Sequence, residues 1–219
     1  MIQLSDISFA YDTDAFTLNV PELSIAEGEH VAIVGPSGSG KTTLLNLIAG
    51  ILVPTSGSVR VDGKDVSAMS DSDRRRFRLA NIGMVFQGVE LIDYMSVLDN
   101  VMLPFRLDKA LGKPAERAAS CDELLKVVGL DGLGQRRAAQ LSVGEQQRVG
   151  LCRALVAEPS LVLADEPTSA LDEDNATTVL DFMLKMTRDT GKTLVMLTHD
   201  KSLLPRFDRV ITVDKGVMA

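Results

Sequence analysis

Apolar and polar positions change their period along this chain. From Ile2 to Phe9 and from Phe16 to Ile25 they read as strands joined by a polar link, and Gly57 to Val61 reads as another short strand. These segments predict a small antiparallel sheet near the N-terminus. Val31 to Val34 is a short aliphatic run ending in a glycine-rich turn, and helical spacing follows from Thr42 to Ala49, which gives strand, loop, helix. Ile82 to Phe86 is a further strand candidate. From Ser96 to about Gly150 the pattern is mainly helical, broken at Pro104, at Gly112 to Pro114 and at Gly129 to Gly134. Beyond it, the strand Leu161 to Ala164, a helix around Asp174 to Thr190, the strand Thr193 to Leu197 and a last strand near Arg209 to Val213 alternate as a parallel α/β core does.

The expected fold class is therefore α/β, with a mainly parallel sheet, an N-terminal antiparallel β-subdomain and an inserted helical subdomain. The 219 residues suit one domain. Residues 1–87 and 151–219 are expected to form the core with its β-subdomain, and residues 88–150 the helical insertion. No repeat or low-complexity linker interrupts this order.

Charge narrows the partners. A net charge of -7 argues against wrapping nucleic acid, which needs a clustered cationic excess. The one basic cluster, Arg74, Arg75, Arg76 and Arg78, follows Asp71 and Asp73 and reads as the solvated face of a surface helix. Cys121 and Cys152 stand far apart, signal neither zinc nor redox chemistry, and fit a reducing setting. His30 reads as a surface or edge histidine, and the nine Met residues, without a helical stripe, as core filling. The N-terminus lacks the features of a signal peptide. No apolar run approaches the ~20 residues that span a bilayer, so any membrane role is expected to be borrowed from another chain.

The chemistry begins at Gly35-Pro36-Ser37-Gly38-Ser39-Gly40-Lys41-Thr42, which fits G-x-x-x-x-G-K-[ST] between a strand and a helix. Its glycines allow a tight turn whose N–H groups, with the helix dipole, face an anionic phosphate chain. Lys41 would add a point charge at the β and γ phosphates, and Thr42 a hydroxyl for Mg²⁺. Leu161-Val162-Leu163-Ala164-Asp165-Glu166 is an aliphatic strand ending in two acids, which delivers a carboxylate to the same sheet edge. Asp165 is the expected Mg²⁺ ligand and Glu166 the base for an attacking water; a helix N-cap is the plain alternative for such a pair.

The segment Leu141-Ser142-Val143-Gly144-Glu145-Gln146-Gln147-Arg148 resembles the signature motif of ABC ATPases. Gln87 after a strand, Ser169 to Asp172 after the acidic pair, and His199 after a strand follow in that family's order. The resemblance covers essentially the whole chain. It implies a P-loop NTPase core, ATP and Mg²⁺ as ligands, and Gln87 sensing the metal and γ phosphate. It implies His199 as a switch histidine that orients the γ phosphate with Glu166. Tyr11 resembles the aromatic that stacks on adenine, though a Tyr ending a strand also suits plain packing. Thr43 follows within the phosphate-loop site.

The resemblance further implies that Ser142, Gly144 and Glu145 close on ATP held by Lys41 of a second copy, with Asp172 crossing the interface. Val143 departs from the usual Gly, and a β-branched residue there is costly if positive φ is required. Residues 97–104, 53–57 and 163–168 are similar to ATPases of the lipoprotein-release, macrolide-export and cell-division group. Such a subunit is expected on the cytoplasmic face of the inner membrane, with a permease docked near Gln87 and residues 88–104. A clamp that binds ATP with negligible turnover is the alternative.

Overall fold

Alternation at the N-terminus folds as its pattern requires. In chain order the elements are β1 (Ile2–Ala10), β2 (Thr17–Ile25), β3 (His30–Val34), α1 (Lys41–Ile48), β4 (Ser56–Val61), β5 (Lys64–Asp65), α2 (Asp71–Asn81) and β6 (Ile82–Val85). Then follow α3 (Val97–Val101), α4 (Leu103–Leu107), α5 (Pro114–Val127), α6 (Val143–Leu155), β7 (Leu161–Asp165), α7 (Glu173–Asp189), β8 (Thr193–Leu197), β9 (Arg209–Asp214) and β10 (Val217–Met218). This computed structural model describes residues 1–11, 16–88, 90–169, 171–214 and 216–218. The chain forms two compact units, one of residues 1–78 with 191–219 and one of residues 79–190.

In the first unit β1 pairs antiparallel with β2, Ile2 opposite Ile25 and Ala10 opposite Thr17. Ile2, Leu4, Leu18, Val20, Leu23 and Ile25 point inward and are buried. The ladder is irregular where Pro21, which has no N–H to give, faces Asp6: Asp6 takes φ 51°, and the register to β4 shifts between Ser5 and Ser8. The unit's strands run in the order β5-β4-β1-β2-β10-β9-β3-β8. β3 lies parallel to both β9 and β8, so its aliphatic side chains are buried on both faces. The two-residue strands β5 and β10 were not foreseen, being too short to show a period.

Two expectations from charge need correction. His30 is fully buried at the head of β3, where its N–H donates to the Asp208 carboxylate at 2.8 Å, and it is not a surface residue. The arginine cluster is not wholly solvated either. Arg78 Nη1 donates to the carbonyls of Ala49 and Gly50, each at 3.2 Å, and so satisfies the C-terminal end of α1, while Arg74 donates to Met69. Arg75 keeps an exposed bridge to Asp71.

In the second unit β6 and β7 pair in parallel, Ile82 opposite Leu161. The helices pack around Val97, Val101, Phe105, Leu125, Leu130, Val149 and Cys152. Pro104 does not break the helical pattern at its own position; it occupies the first turn of α4, where no N–H is required. Burial pushes the Cys121 thiol up to about 11 and raises that of Cys152 further, which keeps both protonated and unreactive. Among the described residues no helix is long and apolar enough to cross a membrane.

β6 packs closely against α6 at Gly83. A Cβ built on Gly83 would lie 2.3 Å from the backbone oxygen of Ala154. Gly83→Ala is therefore expected to destabilise the protein by about 1–3 kcal/mol, through displaced backbone, as read by urea unfolding. An unchanged midpoint would show that α6 yields freely.

Candidate functional site

Each unit carries part of the residues singled out from sequence. In the first, β3 runs into the loop Gly35–Gly40, and α1 starts at Lys41 with Gly40 as its N-cap at φ 101°. That conformation suits glycine, and the ring of Phe16 fills the space a side chain would need, 2.6 Å from an ideal Cβ. Gly35 is constrained from the other side, where a Cβ would sit 2.0 Å from the carbonyl oxygen of Val213. The Ser39 N–H donates to Pro36, and the Ser39 carbonyl accepts from Gly216.

Lys41 is only 8% exposed. Its ammonium donates to the carbonyls of Gly35 at 2.9 Å and Pro36 at 2.8 Å, so the buried charge is held inside the curve of its own loop. Ser37, Gly38 and Thr42 face solvent, whereas Ser39 and Thr43 are buried. Tyr11 joins this group directly. Its hydroxyl lies 3.1 Å from Thr43 Oγ1, its ring meets Phe9 edge-on with centroids 4.9 Å apart, and it remains 39% exposed. At the end of β8, the Thr198 N–H donates to Ile33, and exposed His199 follows beside Asp200. Asp200 accepts from the Ser202 hydroxyl and N–H, which hold its carboxyl below the usual range.

In the second unit β7 delivers half-buried Asp165 and Glu166 at its C-terminal end. Glu166 stands at φ 44°, a left-handed conformation that costs a non-glycine residue about 1–2 kcal/mol. Its carbonyl accepts from the N–H of Ser169 at 3.2 Å and from the Ser169 hydroxyl at 3.0 Å, so a tight turn pins the strained residue. The acidic pair does not cap a helix. That task falls to Asp172, whose carboxylate accepts from the N–H of Asn175 at the start of α7. Gln87 is exposed just beyond β6.

Ser142 is the N-cap of α6. Its Oγ accepts from the Glu145 N–H, and the Glu145 carboxylate accepts in return from the Ser142 N–H at 2.7 Å and hydroxyl at 2.9 Å. Those two bonds hold the Glu145 carboxyl below the usual range. Val143 begins the helix without positive φ and is 52% exposed, so the backbone cost feared for it does not arise. Gly144 is buried against α7, where a Cβ would sit 3.0 Å from the Asn175 side-chain oxygen.

An ABC transporter family model matches residues 18–169, a span that takes in the loop, the capped helix and the acidic strand end. The chain belongs to the ABC transporter family. Relatives agree along nearly the full length. An uncharacterised ABC transporter ATP-binding protein of Mycobacterium tuberculosis is 42% identical over 219 residues, covering 99% of this chain and 88% of the relative. LolD, the lipoprotein-releasing system ATP-binding protein of Xanthomonas campestris, is 44% identical over 195 residues, covering 89% of this chain and 81% of its own. Among solved structures, the dimeric bacterial ABC transporter cassette MJ0796 is 36% identical, with a TM-score of 0.89 and coverage of 99% and 96%. A dimeric post-hydrolysis state of the same cassette, bound to ADP and Pi, superposes with a TM-score of 0.87 at 35% identity. The α/β fold with a phosphate loop is thus that of an ABC cassette, and the chain is an ATP-binding subunit of this family.

The partners that Phe16, Asn175, Gln147 and Asn100 find were not foreseen. Phe16 carried a weak signal, an aromatic just ahead of β2; Gln147 and Asn100 are polar residues whose burial the pattern does not announce. The carboxylates of Asp165 and Glu166 at the end of β7 are hard oxygen donors, of the kind Mg²⁺ takes one or two of.

The capping box makes a stability prediction. Ser142→Ala removes the cap acceptor of α6 and one donor to Glu145, at an expected cost of about 1 kcal/mol in urea unfolding at pH 7. Because the folded-state value of Glu145 is depressed, its contribution is present above the ordinary Glu value of about 4.3 and lost as pH falls through the depressed one. The Ser142→Ala deficit should accordingly shrink in acid, and a deficit independent of pH would contradict the arrangement.

Proposed function

We propose that this chain hydrolyses ATP in a dimer and thereby drives a separate membrane protein. The observation that carries hydrolysis, as opposed to mere binding, is Glu166 pinned at positive φ by the Ser169 turn. Non-glycine residues held at such a cost concentrate where function sets the conformation.

The loop of Gly35, Pro36, Ser37, Gly38, Ser39 and Gly40 would bind the phosphates through N–H groups, and Lys41 would leave its loop carbonyls to meet the β and γ oxygens. Thr43 would close the same end of the loop. Tyr11 would stack on adenine through the ring surface it leaves exposed, steadied by Phe9 and Thr43. Thr42, Asp165 and Gln87 would hold Mg²⁺, which would supply positive charge to offset the negative charge that develops on the phosphates. Glu166 would take a proton from the attacking water, and His199 would orient the γ phosphate.

Ser142, Gly144 and Glu145 would face ATP held by a second copy, with Asp172 at the crossing between copies. The dimeric state of the MJ0796 cassette supports that reading. Loss of the γ phosphate contact on hydrolysis would let the dimer open, which is the mechanical step.

The membrane partner would dock near Gln87 and residues 88–104, of which Val89 lies outside the described residues. Support comes from Tyr94, 80% exposed on a loop that Asn100 holds through bonds to Ile92 and Ser96. The relative LolD is named for a lipoprotein-releasing system, which supports a reading in which this chain works on the cytoplasmic face of the inner membrane. A clamp with negligible turnover is the second reading; it rests on Val143, whose backbone has no positive φ but whose exposed side chain adds bulk to the face offered to the second copy.

Glu166→Gln is expected to bind ATP and hold a dimer, so size-exclusion chromatography with Mg-ATP should show twice the monomer mass. A purely monomeric Glu166→Gln protein that binds ATP tightly would overturn the sandwich.

A further inference from the structure

Gln147 lies one turn into α6 and is 1% exposed. Its Nε2 donates to the carbonyl of Pro167, which is itself buried and directly follows Glu166. Two successive carbonyls of the strained turn are thus spoken for: that of Glu166 by Ser169, and that of Pro167 by Gln147. A buried amide must keep its acceptor, so α6 cannot shift along its axis unless this turn follows or the bond breaks.

Two further features place Gln147 at a junction. It lines a cavity of about 10 Å³ together with Phe86 and Gly88, the neighbours of Gln87. One turn earlier on the same helix, Gly144 approaches the side chain of Asn175, which donates to Asp172 at 2.7 Å. The start of α6 therefore touches both the turn after Glu166 and the cap of α7.

We propose that Gln147 is a positioning residue for hydrolysis: its amide fixes the peptide that follows Glu166, and so carries displacement of the start of α6 to that carboxylate. The proposal rests on Glu166 acting as the base. It does not require Gln147 to touch ATP, water or metal.

The test uses Gln147→Met, which keeps length without a donor, and Gln147→Asn, which keeps the donor but withdraws it by one methylene. Phosphate release and ATP affinity by calorimetry are measured on the full chain beside wild type and Glu166→Gln, with thermal melting as the folding check. Both Gln147 variants are expected to lose about ten- to a hundredfold in kcat, the scale of a small misplacement. Their ATP Kd should stay within about twofold, because only a group needed after binding is disturbed. If Gln147→Met does not melt cooperatively, Gln147→Asn decides. Wild-type kcat in the folded variants, or Kd weakening in step with kcat, overturns the positioning role. Turnover that survives in Glu166→Gln would instead refute the base on which it rests, so the two failures are told apart.

Discussion

A buried ammonium group needs partners, and the whole first half of the site follows from how Lys41 finds them. At 8% exposure it cannot remain hydrated, so the loop curls until the carbonyls of Gly35 and Pro36 face inward. That curl brings Gly35 against Val213 and Gly40 against Phe16, which leaves glycine as the residue with room at both points. β3 supplies the rigid base for this turn, being flanked by parallel neighbours on both sides. A phosphate chain offers the same ammonium stronger, anionic acceptors, so the loop is prepared for exchange rather than for rearrangement.

The acidic end of β7 solves the opposite problem. There the side chains are anionic and the backbone is strained, and the neighbouring hydrogen bonds serve to hold a costly conformation. Ser169 and Gln147 act on successive carbonyls, while Asp172 and Asn175 organise the next helix start. The signature helix α6 is tied to this turn by a buried amide, so its position and that of Glu166 are parts of one arrangement.

Much of this was legible in the sequence because it depends on local rules. The strand–loop–helix around Lys41 and the aliphatic strand ending in Asp165 and Glu166 are short-range patterns with known geometry. What escaped were polar residues whose partners are distant in sequence. Gln147 reads as an ordinary helix former until Pro167 is placed beside it, and His30 reads as a surface residue until β8 and β9 enclose β3. Arg78 likewise belongs to a charged run by composition, yet it serves the end of α1. Val143 erred the other way: its β-branch raised a concern over positive φ that the first turn of a helix does not impose.

In the proposed mechanism catalysis requires two chains, each completing the other's nucleotide site. Phosphate release per chain, measured with Mg-ATP over a wide range of protein concentration, tests it most directly. The rate per chain is expected to climb with concentration and level off once dimers form. A measurable rate per chain that stays constant down to the lowest concentrations, with the protein monomeric throughout, would contradict it.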